Sequence, residues 1–187
     1  MQLKIKKFTV EQYEQMAKIG FLQADERVEL LGGNIIYMSP IGIKHAGCVS
    51  FLTRFLWHHL IDQAVIWPQN PVILDNYSEP EPDIAVLQKE TNSYRRRKPT
   101  AEDVLLLIEV ADSTLEKDRN IKIPLYAKNN IQEVWLVDIS NNIVEVYRSP
   151  VDETYTNIKN FLPGDYLSMI AFPEISISVD EILDYDR

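Results

Sequence analysis

A mixed α/β fold is predicted by three features of the chain. The segments "AVIWPQNPVIL", "PDIAVL" and "VLLLIEV" are three apolar runs of strand length that follow one another closely. A helical stripe precedes them, and a helix-length segment separates them from a further strand, "EVWLVDI". The resulting order is helix, three strands, helix, strand, in which the intervening helix permits a crossover between neighbouring strands of one mixed sheet.

Each element has a local reason. In "TVEQYEQMAKIG", Thr9 and Gln12 have capping-box spacing and Gly20 occupies the stop position, which predicts a short helix. "RVELLGGNIIYM" places Gly32, Gly33 and Asn34 between two apolar segments, the composition of a β-hairpin. From Lys44 to Leu60, residues Val49, Leu52, Leu56 and Leu60 recur at helical spacing, with Phe51 and Phe55 widening the stripe. "AVIWPQNPVIL" reads as a strand bent or broken at its prolines, and "PDIAVL" and "VLLLIEV" as compact strands. "STLEKDRNIKIPLYAKNN" reads as one helix, although Pro124 removes the bond to the carbonyl of Asn120 and so predicts a kink or a late start. "EVWLVDI" and "IVEVYR" flank a turn at Ser140, Asn141 and Asn142, and extra C-terminal strands with short turns are expected beyond about Pro150.

Length and composition fit one domain spanning residues 1–187, since 45% of residues are hydrophobic and 25% charged, an ordinary globular mixture. Cys48 is the single cysteine, which excludes an internal disulfide and a cysteine zinc cluster and points to a reducing, cytoplasmic setting. His45, His58 and His59 lack the spacing of a helical zinc motif. Lysines interrupt the apolar residues of "MQLKIKKFTV", so no signal-peptide core is expected, and no apolar run is long enough for a membrane span. A formal net charge of −9 argues against a general polyanion binder, so a nucleic-acid role requires a local basic patch or a metal.

The strand order brings chemistry together. If "PDIAVL" and "VLLLIEV" are antiparallel neighbours, Asp83 at the start of one meets Glu109 at the end of the next. Two carboxylates at one partly buried edge repel each other, and a divalent cation relieves them. Asp118, Lys122 and Tyr126 recur every four residues, which places them on one helix face whose first turns lie near that edge. Taken singly, each residue has a plainer explanation. Asp83 can cap a turn, Lys122 can be a solvated partner of Asp118, and Tyr126 can belong to the core. Glu109, within "LLLIEV", resists such an explanation because buried acids are rare unless paired or ligating. The run Tyr94, Arg95, Arg96, Arg97 and Lys98 is the one dense basic cluster, a loop that can contact phosphates, with the tyrosine available for stacking.

"EPDIAVL" and "LLLIEVADSTLEKDRNIKIPLYAKNNIQEVWLVDI", together with "VELLGGNIIYMSP" and His45, resemble the Uma-type family of restriction endonucleases, within the PD-(D/E)XK nuclease superfamily. The resemblance runs from about Phe8 to Pro150. It implies a restriction-endonuclease-like core and a magnesium-dependent nuclease site in which Asp83 and Glu109 match the two acidic motif positions. The lysine position two residues after Glu109 is Ala111, a departure from the superfamily pattern, and in this family the lysine is expected on the following helix, as Lys122. Asp83, Glu109 and the backbone carbonyl near Val110 would then hold Mg²⁺, with Mn²⁺ as substitute, while Lys122 helps position a water. Glu29 and His45 are peripheral candidates, the first open to a plainer reading as an exposed hairpin acid. The expected partner is nucleic acid, in the form of DNA. A homodimer is expected because two-fold nucleases cut both strands and "YLSMIAFPEISISV" offers an unassigned apolar surface. The alternative is a catalytically silent nucleic-acid-binding or protein-interaction domain on the same fold.

Overall fold

The computed structural model describes residues 5–23 and 25–184. Helix α1 (Val10–Lys18) carries the full capping box of Thr9 and Gln12. Strands β1 (Val28–Leu31) and β2 (Asn34–Tyr37) form the predicted hairpin, turning at Gly32 and Gly33, both at positive φ. Helix α2 (Ile43–Leu60) follows and buries the face that carries Val49, Leu52, Leu56 and Leu60.

Six strands make the main sheet, in the order β3 (Ala64–Pro68), β4 (Ile84–Gln88), β5 (Val104–Ala111), β6 (Glu133–Asp138), β7 (Ile143–Val151) and β8 (Thr154–Phe161). All neighbours are antiparallel except β5 and β6, which are parallel because the helical crossover returns the chain to the starting edge. The register sets Ile84 opposite Ile108, so Asp83 and Glu109 reach the same edge as predicted.

Strand alternation sorts the side chains into two layers. Ile84, Val86, Leu106, Ile108, Val110 and Trp135 face α2, whereas Ala85, Leu87, Leu107, Ala111, Val134 and Leu136 face the crossover. Glu109 lies between Ile108 and Val110 and therefore belongs to the crossover layer, which decides its partners.

Three expectations change. The single crossover helix is instead α3 (Leu115–Lys117), a π-helical turn over Asp118–Lys122, and α4 (Ile123–Lys128). The π turn closes with the Ile123 N–H on the Asp118 carbonyl. Pro124 then falls in the first turn of α4, where its missing N–H leaves no gap. The chain beyond Pro150 is also more regular than short strands and turns, since β8 is eight residues long and pairs with β7 along most of its length. Its mostly polar, exposed residues lack the apolar alternation that marks a strand, and backbone pairing holds it instead. Finally, the stretch expected to offer a dimer surface is internal at part of its apolar positions. Leu167 and Met169 from β9 (Tyr166–Ser168) and the segment after it, Ile177 from β10 (Ser176–Ser178), and Val179 and Ile182 from α5 (Val179–Leu183) are buried in the layer under α2.

Candidate active site

A pocket opens at the edge where β4 begins and β5 ends, walled by the β2–α2 segment and the crossover. Asp83 is anchored at its mouth from two sides. Its Oδ2 accepts the Val110 N–H at 2.8 Å, and its Oδ1 lies 2.9 Å from His45 Nε2 in the first turns of α2. That bond and the negative charge of Asp83 raise the His45 pKa in spite of partial burial. Val110 thus enters the site through its N–H, whereas the sequence pointed to the carbonyl.

Glu109 and Lys122 occupy the floor, each 2% exposed. Both carboxylate oxygens of Glu109 lie 3.1 Å from Lys122 Nζ, and the Tyr126 hydroxyl donates to Oε1. Lys122 also lies 3.2 Å from Glu29 Oε2 and 3.4 Å from the Glu81 carbonyl. Burial opposes its charge, but Glu109, Glu29, Asp118 and Asp83 outweigh burial and hold its pKa above the ordinary value. Lys122 is therefore a firmly protonated, buried cation, and its reading as a solvated helix lysine is excluded. Burial pushes Glu109 up to about 8, opposed by Lys122 and reinforced by Asp118, Asp83 and Glu29. Asp118, also buried, is raised chiefly by desolvation.

Glu29 is central where the sequence made it peripheral. It is 1% exposed, accepts the Glu81 N–H at 3.2 Å, and meets Lys117 at 3.0 Å as well as Lys122. Burial alone would raise its pKa, but the two lysines lower it, so Glu29 is the ionised partner. Its place is understandable after the fact. Strand β1 is covered on both faces, with Glu29 and Leu31 on one and Leu30 on the other, so its acid is enclosed with its apolar neighbours.

Sequence reasoning missed Arg27, Glu81, Asp112 and Lys117, which also line the pocket. Arg27 lies just ahead of β1 and two residues before Glu29, so extended backbone there would turn it to the same side, a usable signal. Lys117 gave no such signal. In a regular α-helix it would sit about 140° away from Lys122, and the π turn brings the two to Glu29 together.

The basic loop lies elsewhere. It leaves β4 after Gln88, four residues beyond Ile84 and so about 13 Å along the strand from the carboxylate edge. Tyr94 is 4% exposed, packs among core residues and donates its hydroxyl to the Gln88 carbonyl, so it is unavailable for the expected base stacking. Arg97 is bound by Asp103, and Lys98 by Glu14 and Glu79. Arg95 and Arg96 are exposed and make no ion pair among the described residues.

The donor set suits a hard divalent cation in kind. Glu81, Asp83, Glu109, Asp112 and Asp118 outnumber Arg27, Lys117 and Lys122 around the pocket, and Glu29 lies behind the two lysines. Among the described residues, no three histidine, cysteine or acidic side chains form a ready cage. Magnesium needs none, because it usually takes one or two carboxylates and keeps several waters.

The family model Uma2, described as "Putative restriction endonuclease", matches residues 10–180. A solved structure described as "a putative nuclease belonging to DUF820" from Anabaena variabilis ATCC 29413 aligns with a TM-score of 0.76 at 19% identity, over 95% of this chain and 98% of that one. The likeness at that identity is one of fold. A search of curated proteins finds no match. No helix among the described residues is long and apolar enough to cross a membrane.

Proposed function

The chain belongs to the Uma2 family, and from that premise we propose that it is a metal-dependent nuclease that hydrolyses phosphodiester bonds in DNA. The observation that carries this reading is the buried Glu109–Lys122 pair beneath Asp83 at one strand edge. A fully enclosed lysine held among carboxylates is expensive to bury, and such arrangements concentrate at functional sites.

Asp83 and Glu109, with a main-chain carbonyl near Val110, would hold Mg²⁺, or Mn²⁺ in its place. When bound, the ion supplies Lewis acidity toward a phosphoryl oxygen and acidifies a water. The side chains do the rest. His45 and the Val110 N–H fix both oxygens of Asp83. Lys122 orients Glu109 and stays protonated, so it stabilises negative charge on the phosphoryl oxygens and takes no proton from the attacking water. Arg27 at the rim is more exposed and only loosely paired, 3.7 Å from Glu81, which leaves it able to meet a phosphate oxygen. The water oxygen bonds to phosphorus as the bond from phosphorus to the ester oxygen breaks; the attacking water releases its proton to bulk solvent, and the leaving oxygen takes one from solvent. No nucleophilic side chain is required.

A panel of single-stranded, double-stranded and branched DNA and RNA, incubated with Mg²⁺, Mn²⁺ or EDTA, tests the reading. Cleavage is expected with metal and not with EDTA or in Asp83→Asn. Salt-dependent binding without cleavage of any substrate would replace it with a silent binding domain. A two-fold dimer would let both strands be cut, and the C-terminal stretch leaves Tyr166 and Ile170 exposed for it. Light scattering at only the 21.7 kDa monomer mass would dismiss the dimer.

A further inference from the structure

We propose, building on the nuclease reading, that an unpaired DNA strand runs from the catalytic pocket along the outer face of α2, past the β3 edge, to Arg95 and Arg96. Charge is the first support. The chain has 28 acidic against 19 basic residues, yet α2 contains Lys44, Arg54 and all three histidines and no acid. Phosphates therefore meet no acidic side chain from this helix itself.

Continuity is the second. Ile41 borders both the catalytic pocket and a groove floored by Ala46, Ser50 and Thr53 of α2, with Pro68 and Gln69 on its far wall. Trp57 closes that groove and also borders the next hollow, which reaches Lys89 and Ser93 beside the basic loop. Three adjoining hollows thus share walls from one end of the sheet to the other. From His45 to Trp57 the helix rises about 18 Å, the length of about five stacked nucleotides.

The side chains suit a strand with free bases. Small residues at helical spacing let a chain lie close to α2, and Trp57, 57% exposed, presents a ring on which a base can stack. Stacking on Trp57 requires a base face that a duplex keeps covered. Arg54 lies 5.8 Å over the Phe51 ring and makes no ion pair among the described residues, so its charge is open to phosphate. Glu90 is the acid in the last hollow, and its carboxylate is turned to the Tyr94 N–H at 3.0 Å. The track also gives Arg95 and Arg96 a place in substrate binding despite their distance from the carboxylates.

Fluorescence anisotropy with labelled single-stranded oligodeoxynucleotides in EDTA measures binding with cleavage switched off. Trp57→Ala should weaken binding about tenfold. Arg54→Ala should reduce the slope of log affinity against log salt by about 0.7, and Arg95→Ala with Arg96→Ala by about twice that. A matched duplex should bind more weakly than either of its strands. These side chains are exposed, so the variants should fold, which circular dichroism checks. Wild-type affinity and salt slope in all variants, with metal-dependent cleavage intact, would overturn the track and leave the nuclease reading standing. Variant-sensitive binding without cleavage of any strand in Mg²⁺ or Mn²⁺ would retain the track and overturn the nuclease reading.

Discussion

Lys122 holds one positive charge at the pocket floor, where Glu109 and Glu29 approach it to 3.1 and 3.2 Å. Removing it leaves the buried Glu29 carboxylate without one of its two lysine partners and Glu109 without its charged hydrogen-bond donor, a loss of about 3–5 kcal/mol. Urea unfolding of Lys122→Met should show a destabilisation of that size, and adding Glu29→Gln should recover part of it. Equal losses in the single and double variants would assign the effect to the lysine stem alone. Glu109 makes a separate prediction about pH. Its carboxyl titrates near 8 in the fold and near 4.5 when unfolded, so the native state keeps a proton that the unfolded chain has released. This contribution is complete below about pH 4.5 and is lost as pH rises toward 8. Glu109→Gln should remove the slope, and its unfolding midpoint should gain on the wild type steadily up to about pH 8. A constant difference between the two would place Glu109 in the ordinary carboxylate range. Asp83 and Glu109 were legible as a pair because strand order alone brings them together. The anchoring of Asp83 by His45 was not, because it joins residues 38 apart through the packing of α2.

The hairpin is the element that delivers Glu29, and its two glycines are not equivalent. Gly32 has φ +54 with open space where a Cβ would go, whereas Gly33 has φ +80 and a Cβ there would lie 2.7 Å from Lys7 Cβ. Gly32→Ala should cost about 1 kcal/mol for the left-handed backbone. Gly33→Ala should cost more because Lys7 must move as well. Thermal unfolding of the two variants decides, and equal costs would show that the Lys7 segment gives way freely. Helix α1 and this hairpin were readable because caps and glycine turns act over a few residues. The π turn was only half readable. Pro124 announced an irregular helix, but whether it kinks, starts late or takes an extra residue depends on what Asp118 and Lys122 pack against.

At the scale of the whole molecule, any ligand selective for the native state raises stability, by about 2.7 kcal/mol at one hundred times its dissociation constant. Titration with Mg²⁺ or Mn²⁺ should therefore raise the unfolding temperature, and Asp83→Asn with Glu109→Gln should abolish the rise. An undiminished response in the double variant would move the ion away from this strand edge. The same scale explains the misplacement of the C-terminal stretch. Its alternating apolar residues were visible, but only the packed sheet shows that Leu167, Met169, Ile177 and Val179 complete the layer under α2.

Local signals in the chain were enough for the order of helices and strands, the crossover that makes β5 and β6 parallel, and the meeting of Asp83 with Glu109. These follow from short-range periodicity, from turn chemistry and from the few ways adjacent strands can connect. The charge partners and the burial came only with long-range packing. Glu29 and Lys117 meet across 88 residues of chain, and Tyr94 enters the core from a loop that reads as solvated. A charged side chain looks the same in sequence whether water or a buried counter-ion compensates it. Only the packing of distant elements excludes the water and forces the pairing.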